Sequence, residues 1–500
     1  MHDGEPAQRV LPVGAARPGF AAAEVARSEL DGRVNEAARH RFDLGAEPPI
    51  HSVLFTTEPD EHALLLVMHH IATDGWSLPP FMRDLSRCYA ARLGGGPAEL
   101  PPLTTRYVDY AARQRERADE VADAELGYWR AALKGLPERL SLPRRTPEAA
   151  GGAETAGAAE TVVRQVGPGL HARLVALGRE RGATLFMVLQ AALAVVLERA
   201  GSGTDLPIGA PVAGRSGGSV DDLVGFFVNL VVLRTDLSGD PAAGELVARV
   251  RETDLEAFSH QEVPFERVVQ DLNPARRPGR HPLVDVVLAL QNNARAELSL
   301  PGVESRVEVV RTGAARFELL VDVTDDYGRD GAPAGIAVTV EYRVDAFDRL
   351  FMEWLADALV RALEAMAAAP DAPVSAIVLP GLPDVPDLPD ISVDLGAAAE
   401  VRSESGHRPP RTGLECAIAA VWADVLGVAR VGLDDGFFAL GGNSLRAVRV
   451  AARLASRGLP ATASQLFSAP TVAELAAALE RATQRPEPGI TRQPRIPRNR

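Results

Sequence analysis

The chain has 500 residues, 46% of them apolar and 24% charged, so it can bury ordinary hydrophobic cores in about two to four domains. A net charge of −14 and a pI of about 5.3 argue against a nucleic acid or an anionic membrane as partner. No apolar run reaches membrane-spanning length, the N-terminus is no signal peptide, and the two cysteines make no disulfide framework. We therefore expect no membrane partner and a location in the reducing cytoplasm.

The first predicted elements surround a pair of histidines. Residues Arg41–Ser77 predict a loop followed by two strands, and the apolar run Ala63–Met68 is typical of the buried second strand. A helix should begin at Pro79, because a proline in the first helical turn removes no needed N–H, and should end near Leu93. A longer helix is predicted from about Tyr107 to Leu133.

The middle of the chain alternates between strands and helices. Residues 148–160 are rich in Gly, Ala and Glu without periodicity, which indicates a flexible hinge. A strand over Thr161–Val166 begins the next lobe, and Thr184 should cap a helix over Leu185–Leu197 that is apolar on all sides and therefore buried. The helix Asp348–Ala368 should close this lobe.

The segment His69–Gly75, of the form H-H-x-x-x-D-G, comes directly after the predicted strand and offers a base at a strand end. Histidine is the side chain best suited to proton transfer near neutral pH. A metal site is the other chemistry open to a histidine pair, but no second cluster with ligand spacing accompanies it, so we predict no metal.

Four more segments follow in one order: Ile208–Arg215 (I-G-x-P-x-A-G-R), Val224–Asn229 (V-G-x-F-V-N), His260–Glu266 (H-Q-x-x-P-F-E) and His281–Val286 before a Gln-Asn pair. Together with the histidine motif they resemble the condensation domains of nonribosomal peptide synthetases, which are related to chloramphenicol acetyltransferase. The resemblance implies an α/β two-lobed fold. Glycines 209, 214 and 225 could serve turns only, and Phe226 and Phe227 are expected in the core.

The resemblance also assigns roles to the motif residues. It implies that His70 is the general base, or a group that orients and stabilises charge, and that His69 is structural. Gly75 would allow close backbone approach. Asp74 could polarise His70 as in a catalytic triad, although a structural ion pair that shapes the loop is the family's pattern.

A second motif lies near the C-terminus, where Leu440–Leu445 resembles the L-G-G-x-S-L signature of a peptidyl carrier protein. Ser444 alone could be a helix N-cap. Its surroundings favour the carrier, because Leu414, Ile418, Val421, Trp422 and Val425 have helical spacing, as do Leu445, Val448 and Ala452, and Thr471 with Glu474 forms a capping box. The resemblance implies a small all-α four-helix bundle with 4′-phosphopantetheine bound covalently to Ser444.

The predicted domains are a condensation domain, a linker, a carrier and a tail. Residues 1–147 form the condensation domain N-lobe, incomplete at its start, and residues 148–160 the hinge. The C-lobe covers 161–378, the linker 379–409, the peptidyl carrier domain 410–484 and a disordered tail or linker 485–500.

Two departures from the family pattern matter. Family members carry a strand, a helix and an R-H-E-x-L-R segment before the D-G-E-P stretch found here at Asp3–Pro6. That segment supplies the usual arginine partner of the motif aspartate, so we expect Asp74 to lack its partner. In addition, no adenylation domain lies between the two domains, so a separate adenylation enzyme would load Ser444.

These features predict a nonribosomal peptide synthetase fragment that forms amide bonds between carrier-bound substrates. Its partners would be other synthetase subunits and carrier domains, a trans-acting adenylation enzyme and a phosphopantetheinyl transferase. Two alternatives stay open: an acyltransferase that uses a free amine or alcohol, and a non-catalytic carrier or docking protein with an inert first domain.

Overall fold

The computed structural model describes residues 7–12, 14–145, 157–215, 220–274, 281–292, 296–383 and, with gaps, 408–483. The gaps in the last stretch are 427, 429, 438–439, 441–446, 448–449, 452, 456, 460, 462–464 and 467–468. The chain divides into two compact units, one made of Leu11–Pro274 with Gly279–Ser392, the other made mainly of Val393–Arg500.

The first lobe of the larger unit is a three-stranded sheet with helices. Strands β1 (Gly19–Glu24), β2 (Ile50–Glu58) and β3 (Glu61–Met68) lie in that order, β1 parallel and β3 antiparallel to β2. Helix α1 (Leu30–Ala38) packs on the face of the sheet that holds the buried side chains Val53, Phe55 and Leu65. The predicted strand pair is confirmed.

Two longer helices follow the histidine motif. Helix α2 (Leu78–Leu93) has its prolines in the first turn, and α3 (Tyr107–Ala132) runs for 26 residues. Both agree with the prediction to within a residue. Between β3 and α2 the backbone makes two short 3-10 turns, His70–Ala72 and Gly75–Ser77, which present the motif.

The second lobe is built on a six-stranded sheet in the order β4-β9-β8-β7-β5-β6, in which β7 is parallel to both β5 and β8. Its strands are β4 (Ala159–Val166), β5 (Asp205–Val212), β6 (Asn229–Asp236), β7 (Val286–Gln291), β8 (Leu319–Tyr327) and β9 (Pro333–Arg343). Its helices are α4 (Pro168–Glu180), α5 (Leu185–Leu197), α6 (Ala243–Ser259), α7 (Phe265–Leu272) and α8 (Arg349–Ala368).

Helix α5 forms the centre of this lobe. Thr184 caps it as predicted, its Oγ1 accepting the N–H of Met187 at 3.3 Å, and the helix contacts α4, α6 and α8. Contrary to our expectation, one apolar stretch among the described residues, Leu185–Ser202, is long enough to cross a membrane, but 67% of it is buried inside the protein. That burial is typical of a core helix in a globular domain.

The smaller unit is helical where it is described. Helices α9 (Gly413–Leu426) and α10 (Val472–Thr483) contact each other, and Ile418, Val421, Trp422, Phe437, Val450 and Leu475 form its apolar core. The predicted capping box is present, since Thr471 Oγ1 accepts the N–H of Glu474 at 3.2 Å and Glu474 Oε2 accepts that of Thr471 at 3.1 Å. Ser444, and with it the predicted apolar positions Leu445, Val448 and Ala452, lies outside the described residues.

Candidate active site

The histidine motif begins where β3 ends. The N–H of His69 donates to the carbonyl of Pro49 at 3.0 Å, which continues the sheet pairing by one residue. The His69 imidazole then caps the first 3-10 turn, its Nδ1 accepting the N–H of Ile71 at 3.0 Å. This bond ties the His69 side chain to the backbone of the turn.

The imidazole of His70 is exposed and held at one nitrogen. Its Nδ1 lies 2.7 Å from the carbonyl oxygen of Thr73. Because a carbonyl oxygen can only accept, Nδ1 carries the proton in this bond, and in the neutral imidazole the lone pair is therefore on Nε2. This is the tautomer that a general base requires.

An aromatic ring from the second lobe lies against His70. The Phe226 ring meets the imidazole edge to face, with centroids 5.2 Å apart and planes at 86°. The expectation of two core phenylalanines is therefore half wrong, because Phe227 is only 2% exposed whereas Phe226 is 37% exposed. Of these two adjacent rings, one is in the core and the other lies against His70.

The carboxylate of Asp74 is buried and turned away from His70. Its Oδ1 accepts the N–H of Ser77 at 2.9 Å and lies 2.8 Å from Ser77 Oγ, while Oδ2 accepts the N–H of Phe227 at 3.1 Å. Within the described parts of the chain, no hydrogen bond joins this carboxylate to His70, whose Nδ1 is occupied by Thr73. The geometry therefore favours the structural alternative over the triad.

Asp74 does have an arginine partner, which corrects the expectation that it would lack one. Arg215 Nη2 lies 2.9 Å from Asp74 Oδ1, and both side chains are almost fully buried, at 4% and 0% exposure. The guanidinium also donates to the carbonyls of Val220 and Leu223 and stacks 4.0 Å from the Phe227 ring centroid. The sequence had marked Arg215 as a motif residue without connecting it to the acid.

Two glycines of the motifs lie at positions where any larger residue would clash. Gly214 has φ +62°, and a Cβ there would lie 2.0 Å from the carbonyl oxygen of Phe227. A Cβ on Gly225 would lie 2.4 Å from the Tyr107 ring. Both positions therefore require glycine, because the connection between β5 and β6 approaches its neighbours too closely for a side chain.

The H-Q-x-x-P-F-E segment is tied to the same connection through Asn229. Its Nδ2 donates to the carbonyls of Gln261 and Val263 at 2.9 Å each, and its Oδ1 accepts the N–H of Phe265 at 2.9 Å. The His260 ring stacks on Tyr128 of α3 with centroids 4.1 Å apart. These residues shape the surroundings of the site and do not reach the motif.

Ser444 lies outside the described residues, but its neighbours in sequence bear on the attachment of a prosthetic group. Phe437 before it and Ala447 after it are both fully buried in the carrier core. Described residues before and after Ser444 in the sequence thus belong to a folded core.

Comparison with protein families gives two matches. Residues 1–382 match the condensation domain, and residues 416–479 match the phosphopantetheine attachment site. The chain is 46% identical over 376 residues to the probable non-canonical nonribosomal peptide synthetase CymA of Salinispora arenicola and 44% identical over 370 residues to a dimodular nonribosomal peptide synthase of Bacillus subtilis. These alignments cover 74% and 73% of this chain but only 5% and 15% of the relatives.

Solved structures agree on the fold. The X-domain from teicoplanin biosynthesis superposes with a TM-score of 0.67 at 31% identity, covering 72% of this chain and 81% of that one. The condensation domain of the Monacolin K polyketide synthase MokA gives a TM-score of 0.59 at 21% identity over 71% and 80% of the two chains. The chain belongs to the condensation-domain family of nonribosomal peptide synthetases, with its two-lobed fold, and carries a phosphopantetheine attachment domain after it.

Proposed function

We propose that the condensation domain joins a carrier-bound acyl or peptidyl thioester to a carrier-bound aminoacyl amine, with His70 as general base. The observation that supports this most is the bond from His70 Nδ1 to the Thr73 carbonyl at 2.7 Å. It leaves Nε2 as an acceptor on an exposed ring at the end of β3. Amide formation needs such an acceptor, because an amine must lose a proton as it attacks.

The proposed reaction forms one C–N bond and breaks one C–S bond. The neutral amine attacks the thioester carbonyl, His70 Nε2 takes the proton that the nitrogen releases, and the departing sulfur takes it in turn. Both reactants arrive tethered to carriers, so positioning supplies most of the acceleration. General-base help contributes about 10²–10⁴-fold.

We further propose supporting roles for the rest of the motif. His69 fixes the first turn through its bond from Ile71, and Asp74 fixes the second through Ser77 and Arg215. Gly75 opens the second turn, where a small residue would allow substrate to approach the backbone closely.

Ser444 is the proposed attachment point of 4′-phosphopantetheine, whose thiol holds an acyl group as a thioester. The proposed partners are other synthetase subunits and carrier domains, a separate adenylation enzyme that loads the carrier and a phosphopantetheinyl transferase that modifies it. We place the reaction in the cytoplasm.

The test is amide formation from two loaded carriers with the His70→Ala variant. We expect the rate to fall about 10²–10⁴-fold but not to zero, because positioning survives. His62→Ala is the matched control, since His62 is an exposed histidine of β3 whose ring bonds Thr56 Oγ1. A loss below about tenfold for His70→Ala would contradict the proposed base.

The same preparation separates the alternatives. Mass spectrometry after treatment with a phosphopantetheinyl transferase should show modification of the chain and none of the Ser444→Ala variant. Equal rates with a free amine and a carrier-bound amine would indicate the acyltransferase alternative. Modification without any product would indicate a carrier with an inert first domain.

A further inference from the structure

We infer that Phe226 is a positioning residue for His70, and that the buried Asp74–Ser77 turn acts on the reaction through Phe226. This inference rests on the proposed function of His70. Asp74 would then influence the orientation of His70 without contacting it.

His70 needs a second restraint. The outer torsion of a histidine side chain is broad and roughly two-fold, so one hydrogen bond at Nδ1 leaves the ring able to rock. The Phe226 ring meets the imidazole at 5.2 Å and 86°, the edge-to-face geometry that aromatic pairs prefer. The Thr73 carbonyl and this ring together define the plane of the imidazole, and hence the direction of the Nε2 lone pair.

Phe226 and the residues on either side of it are each hydrogen-bonded to the first lobe. Gly225 donates its N–H to Ser77 Oγ at 3.1 Å, and its carbonyl oxygen lies 2.9 Å from the same hydroxyl. The Phe226 carbonyl accepts the hydroxyl of Tyr107 at 2.7 Å, and Phe227 donates its N–H to Asp74 Oδ2 at 3.1 Å. We call residues 225–227 the clamped segment.

The partial exposure of Phe226 fits this arrangement. Its neighbour Phe227 is 2% exposed and packs under Arg215, whereas Phe226 keeps 37% of its surface open. A large apolar side chain gains free energy from burial, and the backbone of this partly exposed ring is fixed by other contacts. The clamped segment provides them and places the ring beside His70.

The first experiment measures kcat and KM of Phe226→Ala with two loaded carriers. Loss of one edge-to-face pair should lower kcat roughly threefold to tenfold, with KM for both carriers unchanged. Phe226→Tyr keeps the ring and should restore kcat, and Phe226→Leu keeps apolar bulk without a ring and should not. The control is Phe20→Ala in β1, which removes another exposed phenylalanine.

The second experiment reads the contact without activity. In protein labelled with ¹³C at histidine Cε1, the His70 signal is the one missing from His70→Gln. We expect the ring of Phe226 to shift this signal, the shift to vanish in Phe226→Ala and Phe226→Leu, and to persist in Phe226→Tyr. The shift of the His70 signal does not depend on amide formation. Failure of the proposed function and failure of this inference can therefore be told apart.

Three results would overturn the inference. One is a His70 signal that does not respond to Phe226→Ala in a folded protein. Another is an unchanged kcat for both Phe226→Ala and Phe226→Leu. The third is a rise in KM that depends on the size of the acyl group, because it would make Phe226 a wall of the substrate site instead.

Discussion

The buried pair of Asp74 and Arg215 gives the sharpest test of how the motif is held together. Replacing Arg215 with Met removes the guanidinium and leaves the carboxylate of Asp74 uncompensated at 0% side-chain exposure. It also removes the bonds to the carbonyls of Val220 and Leu223 at 2.7 and 3.1 Å, and the stacking on Phe227 at 4.0 Å.

The magnitude follows from these contacts. Breaking a buried ion pair by removing one partner costs about 3–5 kcal/mol, and a desolvated cation–π contact adds about 1–2 kcal/mol. We expect Arg215→Met to lower the free energy of opening this region by about 4–7 kcal/mol. Asp74→Asn keeps one acceptor for Ser77 but loses the charge and faces the N–H of Phe227 with an amide, so we expect about 3 kcal/mol.

The double variant Asp74→Asn/Arg215→Met separates the energy of the ion pair from that of the other contacts that each side chain makes. Neutralising both partners removes the uncompensated charge that each single variant leaves, so the double variant should be about 2 kcal/mol less destabilised than the sum of the singles. Arg117→Met is the matched control. Its partner Glu262 is bound at 2.7 Å with exposures of 58% and 45%, and such pairs contribute about 1 kcal/mol or less.

The assay is amide hydrogen exchange of the full chain at increasing urea, followed in a peptide covering 220–233. It reports opening where the pair lies and keeps the carrier unit out of the measurement. A loss below about 1 kcal/mol for Arg215→Met, or strict additivity in the double variant, would refute the view that this ion pair holds the motif.

Two further predictions concern single residues. Burial raises the pKa of Asp254 to about 7, against about 3.9 in an unfolded chain, so the native state holds a proton that the unfolded state has lost. The stabilisation is complete below about pH 4 and is lost as pH rises through 7. The free energy of unfolding, measured from Tm between pH 5 and 7, should therefore fall by up to about 1.4 kcal/mol per pH unit, and Asp254→Asn, which keeps an acceptor for Gln190 Nε2, should abolish that fall. An unchanged slope in the variant would contradict the raised pKa of Asp254. Gly214→Ala should destabilise by more than about 3 kcal/mol in urea unfolding, because its Cβ would meet the Phe227 carbonyl, whereas Gly239→Ala, also at positive φ but with open space, should cost only about 1–2 kcal/mol; equal losses would exclude the clash.

What the sequence predicted correctly is local. The strand before His69, the helix beginning with two prolines and the helix capped by Thr184 each depend on residues within a few positions of one another. Hydrophobic periodicity and capping act over that range, so a single sequence reports them directly. The carrier helix and its box at Thr471 and Glu474 belong to the same class.

What it did not predict depends on the topology. Arg215 and Asp74 are 141 positions apart, and only the pairing of the two lobes brings them to 2.9 Å. The two sequence motifs contain Asp74 and Arg215, but they do not indicate that these two charges pair with each other. The same holds for Phe226, whose apolar side chain predicts the core, although three contacts from the first lobe turn it towards His70.

The backbone explains why an acid four residues after His70 does not reach it. Thr73 and Asp74 are extended, with φ of −156° and −132°, and they separate the two 3-10 turns. The Thr73 carbonyl faces the imidazole and the Asp74 carboxylate faces the interior. A carbonyl sets the tautomer of His70 without adding a negative charge, so it stabilises an imidazolium less than a carboxylate would. In the proposed reaction, more of the acceleration then comes from the orientation of tethered reactants, so we expect His70→Ala to leave a measurable rate.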